Sequence, residues 1–307
     1  MRIKKIDSDT VKLCETTKVK LKTAGNTRVV QFTAGNNKSC PVQNLSKETY
    51  LDKKTGEIKQ KKKSENRYQS PKSARKSINR LGDLILCNAT DPAKCKWLTV
   101  TYKDVMTDGK QAFQDAKQFL RKLKRYLAKQ NNLTTGQKLF KYITVAEPQG
   151  EQHGNSWHLH IMLIFDDTAP FIENETIAGL WGHGITSTHK VFDGDGLALY
   201  FKAHLSDIEY EDESTESDKK KPETVEKTVD GVSKQFIKGE RLKYYPAGMN
   251  LYSSSRGMKK PVVEEMTNAE AMERVGDSEL VYRETYAIGD KDKGNLIDKR
   301  YYKKKDL

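Results

Sequence analysis

The run Trp157-His-Leu-His-Ile-Met-Leu-Ile-Phe165 leaves the chain little choice of conformation. It is dense in apolar side chains, far too short to span a bilayer, and bounded by polar loops, as a core strand is. Along a strand, successive side chains leave opposite faces, so His158 and His160 share one side while Leu159 and Ile161 take the other. The apolar side must be covered by a second layer. Two neutral imidazoles on the other side are a natural start for a divalent metal site, which a third, oxygen ligand would complete while leaving positions open for substrate. Taken alone, the pattern equally describes two solvated histidines on a polar sheet face.

The preceding segment narrows the choice. Tyr142-Ile-Thr-Val-Ala-Glu147 reads as a strand ended by Pro148, and the Gly-, Gln- and Asn-rich stretch 149–156 reads as a loop. A hairpin closing over 148–157 brings Glu147 opposite His158, which makes Glu147 the candidate third ligand. His153 competes from inside the loop, and Gln149 is a possible outer support. His183 and His189 fall outside the motif and read as surface or packing histidines.

Around this pair the elements follow a simple order. Trp97–Tyr102 alternates as a strand, and Thr107-Asp108 offers a helix cap. Phe113, Ala116, Leu120, Leu123 and Leu127 recur at helical spacing. Asn174 caps a short helix to Trp181, 185–189 is a further strand, and 194–206 reads as a helix. The order β-α-β-β-α-β-α predicts an α+β fold, an antiparallel sheet with helices on one face. Ahead of it, residues 1–95 form a basic, partly flexible N-terminal extension. A β-hairpin there surrounds Ala24-Gly25-Asn26, and a lysine-rich stretch between Lys53 and Arg80 is either a solvated linker or a grip on DNA backbone. Within the main domain, 96–261, the acidic-then-lysine run 207–235 has little to pack and is expected to be a mobile insertion. Residues 262–307 end the chain in a helix near 269–275 and a hairpin of 281–288 with 296–302.

Composition limits the partners. Lys and Arg number 55 against 42 Asp and Glu, a net charge of +13 over 307 residues. Such an excess favours a polyanion, because each phosphate contact releases counterions. The four cysteines are scattered without a CxxC pair, so neither a disulfide framework nor a cysteine metal site is expected. No secretory signal or membrane span is visible, which points to the cytoplasm and to no membrane partner.

Three motifs in order then resemble those of HUH-superfamily rolling-circle replication initiators of the plasmid and phage type from Gram-positive bacteria. Glu147-Pro-Gln-Gly with Trp157-His-Leu-His160 is similar to their second motif, and Leu98-Thr-Val-Thr101 to their first. Tyr200-Phe-Lys-Ala-His204-Leu-Ser-Asp207 resembles the tyrosine motif, although read alone Tyr200 could be a packed aromatic. The stretch Tyr244-Tyr-Pro to Ser255-Arg256-Gly-Met-Lys-Lys-Pro261 resembles a tail segment of these initiators. The resemblance implies an HUH palm of ferredoxin or RRM type. It also implies a metal, Mg²⁺ or Mn²⁺, held by Glu147, His158 and His160. Single-strand nicking and religation would then run through a 5′-phosphotyrosine on Tyr200. Lys202, Arg256, Lys259 and Lys260 are the DNA-contacting candidates, and the partners would be single-stranded and hairpin origin DNA with a host helicase and polymerase. Many members carry a lysine three residues after the tyrosine, where this chain has Ala203 with Lys202 one place off. The second tyrosine of some members is His204 here, which disfavours a two-tyrosine mechanism. No Walker-type phosphate loop occurs, so a fused helicase is not expected. An HUH transposase or conjugative relaxase shares these motifs, and a non-catalytic, sequence-specific DNA-binding protein is the reading from another class.

Overall fold

A computed structural model describes residues 3–7, 11–35, 41–130, 139–191, 208–209, 224–229, 232–237, 239–288 and 295–304. The chain divides into two units, one of Met1–Lys63 with Lys260–Leu307, the other of Ser64–Lys259.

The second unit holds the histidine strand. Its sheet consists of β1 (Cys95–Val100), β2 (Lys141–Pro148), β3 (Trp157–Ile164), β4 (Thr186–Lys190) and β5 (Tyr252–Ser254), in the order β4-β1-β3-β2-β5. Every neighbouring pair is antiparallel. The apolar density of β3 is explained by its central place: Leu159, Ile161, Met162 and Leu163 are fully buried. Among the described residues this unit has the helices α1 (Pro71–Asn88), α2 (Gly109–Gln130) and α3 (Asn174–Trp181). Asp108 caps α2 by accepting from the backbone amides of Lys110 and Gln111 at 2.8 and 3.2 Å, satisfying donors that the first turn leaves open. Ala112, Ala116, Phe119, Leu120, Leu123 and Leu127 form its buried stripe, and α2 packs on β2, β3 and α3. Burial of each large side chain on that stripe contributes about 1.5–3 kcal/mol. The α+β class with antiparallel sheets is what the element order predicts.

Three expectations need correcting. The segment ahead of residue 95 is not only an extension: α1 buries Ala74, Ile78, Leu81 and Ile85 in the same core as the sheet. Its stripe recurs at four- and three-residue steps, and Pro71 at the first turn suits a helix start. The lysines and arginines between the apolar positions hide the periodicity. Inside the expected mobile insertion, Thr224–Val229 and Val232–Ile237 pair as antiparallel strands, joined by Ile208–Glu209. Val225, Val229, Val232 and Phe236 favour strands, and Asp230-Gly231 between them is a strong hairpin sequence. Finally, the chain's two ends are not separate appendages.

The first unit is built from those ends. Its six-stranded sheet runs Ile3–Ile6, Glu279–Ile288, Asn295–Lys303, Thr27–Ala34, Lys18–Ala24, Val262–Thr267. The expected N-terminal and C-terminal hairpins are both present, with Gly25 at φ 57° in the first turn, a conformation glycine adopts without penalty. Helix α4 (Asn268–Val275) starts with a capping box between Thr267 and Glu270 and buries Ala271 and Val275 against Val19, Leu21, Val30 and Tyr302. A small sheet of Val42–Asn44, Thr49–Asp52 and Ile58–Gln60 lies in the same unit.

Candidate metal centre

The β2–β3 hairpin sets the register of the centre. Its loop uses positive φ at Gly150 (89°), Gly154 (62°) and Asn155 (57°), and it places Glu147 opposite His158 and Val145 opposite His160. On the other side of β3, Thr99 of β1 lies opposite His160. The period of two therefore brings Glu147, His158, His160 and Thr99 onto one face of the sheet.

The side chains converge. His158 Nε2 and His160 Nε2 each lie 2.6 Å from Glu147 Oε2, and the three donor atoms are all within 4.8 Å of one another. Among the described residues this is the group able to hold a metal ion. His160 and Glu147 are buried and His158 nearly so, with 16% of its side chain exposed. Burial pushes the His158 pKa down to about 4 and that of His160 well below the usual histidine range, where the nearby His158 and His189 add to the effect. Both rings are therefore neutral at ordinary pH, the form in which imidazole ligates a metal.

The surroundings fix the rings. Thr99 Oγ1 lies 3.1 Å from His160 Nδ1. With the Nδ1 proton donated to that hydroxyl, Nε2 keeps its lone pair facing Glu147 and His158. Trp97 stacks on His160 with centroids 5.1 Å apart at 23°. Two neutral nitrogens and one carboxylate oxygen, buried and convergent, fit a divalent cation. A mixed nitrogen and oxygen set suits Mn²⁺ and also admits Mg²⁺.

A fourth charged group enters from far along the chain. Arg241, on the single-turn helix Glu240–Tyr244, pairs through Nη1 with Glu147 Oε1. That turn is anchored by two backbone bonds, from Tyr68 N to Leu242 O at 3.1 Å and from Arg67 N to Tyr245 O at 2.9 Å. It is also held by the Tyr245 hydroxyl, which donates to the carbonyl of Ala146, next to Glu147, at 2.7 Å. Sequence reasoning missed Arg241, because an arginine in a charged turn carries no periodic signal. Thr99 was noted for its motif alone.

The other sequence-predicted residues are more scattered. Tyr200 and Lys202, with the expected helix 194–206, lie outside the described residues. Arg256, Lys259 and Lys260 are exposed. His153 is exposed on the turn Glu151–His153 and is not part of the cluster. His183 packs against Tyr102 and Trp181, and His189 bonds Ser187 at 2.8 Å.

An antiparallel α+β palm whose central strands carry a buried Glu-His-His group is consistent with the HUH class. Residues 95–207 match a family model for replication-associated proteins of the ORF2 type, and that match supports a rolling-circle replication initiator. No curated protein and no solved structure matches the chain.

Proposed function

We propose that this protein starts rolling-circle replication by nicking one strand of an origin and resealing it. The observation that carries the reading is the buried convergence of Glu147, His158 and His160 inside the segment that matches a replication-associated family. Those three residues would hold the metal, which when bound supplies Lewis-acid polarisation of the scissile phosphate. Tyr200, at the position of the tyrosine motif, attacks phosphorus. A bond forms between its phenolic oxygen and the phosphate, the bond to the 3′ oxygen breaks, and the phenolic proton ends on the 3′-hydroxyl that primes synthesis. The tyrosyl ester conserves the bond, so the reverse attack reseals the strand. Free tyrosine titrates near ~10 and is a weak nucleophile at neutral pH, which makes a polarised phosphate necessary. Arg256, Lys259 and Lys260, exposed and cationic, would contact the DNA backbone, as would Lys202 beside the nucleophile. Single-stranded or hairpin origin DNA is the substrate, a host helicase and polymerase are the partners, and the cytoplasm is where all of these would meet.

The test is covalent capture. Wild-type protein with Mn²⁺ and a pool of single-stranded oligonucleotides should give an adduct that survives a denaturing gel and maps to the peptide containing Tyr200. Tyr200→Phe removes one oxygen and should abolish the adduct while leaving DNA binding nearly unchanged. An adduct that persists in that variant, or maps to Tyr244, Tyr245 or Tyr252, would overturn the assignment.

A further inference from the structure

Arg241 lies beyond the stretch that matches the replication-associated family, yet its guanidinium touches the carboxylate of the metal centre. Glu147 divides its two oxygens: Oε2 faces both imidazoles and Oε1 takes Arg241 Nη1. The Arg241 side chain is only 11% exposed, and its Nε has no hydrogen-bond partner. A guanidinium is planar, permanently charged and built to bind through two parallel N–H bonds. Here one end of the fork is used. A buried N–H without an acceptor has lost its hydration and received nothing in return, so the position favours an incoming acceptor.

Charge says what kind. The centre has one carboxylate for one guanidinium before any divalent cation is added, because both imidazoles are neutral. With a metal bound, the group carries an excess of positive charge in a buried place, where it acts strongly on a nearby anion. Arg241 is also held in position rather than free to swing, since Tyr245, four residues on, is bonded to Ala146 and stacked edge-on against Trp157 at 5.1 Å.

We propose that Arg241 is a further catalytic residue: its Nε–H donates to a non-bridging oxygen of the DNA phosphodiester that meets the metal centre, while Nη1 stays on Glu147. The assignment rests on the nicking reaction proposed above. It adds a fixed cation that would stabilise charge on the phosphate in the transition state. A lysine could supply the charge but could not hold Glu147 and phosphate together.

The probe is the smallest phosphodiester, thymidylyl-(3′,5′)-thymidine, with its uncharged methylphosphonate analogue as control. Binding to full-length, Mn²⁺-loaded protein is read from the broadening of the phosphorus resonance by the metal. Wild type should prefer the phosphodiester. In Arg241→Met the preference should fall roughly tenfold or more, as expected for a lost charge-assisted bond. Mn²⁺ affinity by calorimetry should be unchanged or tighter, because a positive charge beside the ion has been removed. Preference kept in Arg241→Met together with weakened Mn²⁺ binding would overturn the proposal, since Arg241 would then only orient Glu147. If Arg241→Met does not fold, as judged by circular dichroism, Arg241→Lys decides: it should lose most of the preference, and full retention refutes the role. Absence of any covalent adduct in wild type would count against the nicking reading alone, because the dinucleotide titration requires no cleavage.

Discussion

Single residues decide whether this centre can hold an ion. Glu147→Ala, His158→Ala and His160→Ala each remove one donor of a three-donor set, so calorimetry should show Mn²⁺ binding lost or reduced at least tenfold. His153→Ala, on an exposed turn, should bind as wild type does; a comparable loss there would move the centre into the loop. Thr99→Val keeps the shape of the side chain and deletes the oxygen 3.1 Å from His160 Nδ1. Metal affinity should drop about 10–100-fold, with thermal stability little changed. Two of the three ligand candidates were legible because strand alternation puts residues i and i+2 on one face, and the third because a hairpin has a countable register. Arg241 was not legible. It reaches Glu147 only because a turn 94 positions later is bonded to residues 67 and 68 and to Ala146.

Elements divide the same way. Helix α2 was plain in the sequence, since its apolar stripe is long and its cap is an aspartate. Helix α1 has an equally regular stripe, but exposed Lys72, Arg75, Lys76 and Arg80 surround it, and charge density outweighed periodicity in the reading. The C-terminal hairpin was legible as a hairpin but not for what it buries. Asp298, fully buried on its second strand, accepts from Arg283 Nε and Arg300 Nε at 2.9 Å and from Thr285 Oγ1 at 2.8 Å. Arg283 reaches on to the carbonyl of Val11 at 2.7 Å, so one carboxylate holds two strands and the N-terminal segment together. Asp298→Ala leaves two guanidinium groups in a buried place without their counter-charge. Destabilisation of about 3–5 kcal/mol is expected, read as a fall in the denaturant midpoint at constant slope. A change under about 1 kcal/mol would mean that the arginines find water instead.

At the scale of the whole molecule, charge is the property to test. The net +13 predicts affinity for DNA that declines with salt, each phosphate contact contributing about 0.7–0.9 to the slope of log affinity against log salt. Lys72, Arg75, Lys76 and Arg80 lie on the exposed side of α1, so replacing all four with Gln leaves the buried stripe intact. The slope should become shallower by up to four such contacts if this face grips the backbone, with no change in sequence preference. An identical slope would make the helix a purely structural element.

The sequence by itself determined the local outcomes. Strand and helix periods, an aspartate cap, two hairpin turns and the alternation that aligns His158 with His160 all depend on neighbours in the chain, where side-chain geometry leaves few options. Only the tertiary structure decided the rest. It paired Ile3 with Ile288 and so made one sheet of the two chain ends. It also drew α1 into the core and set Arg241 against Glu147. Contacts between residues so far apart are chosen by which surfaces bury together and which charges meet away from water. No short window of sequence contains both partners of such a choice.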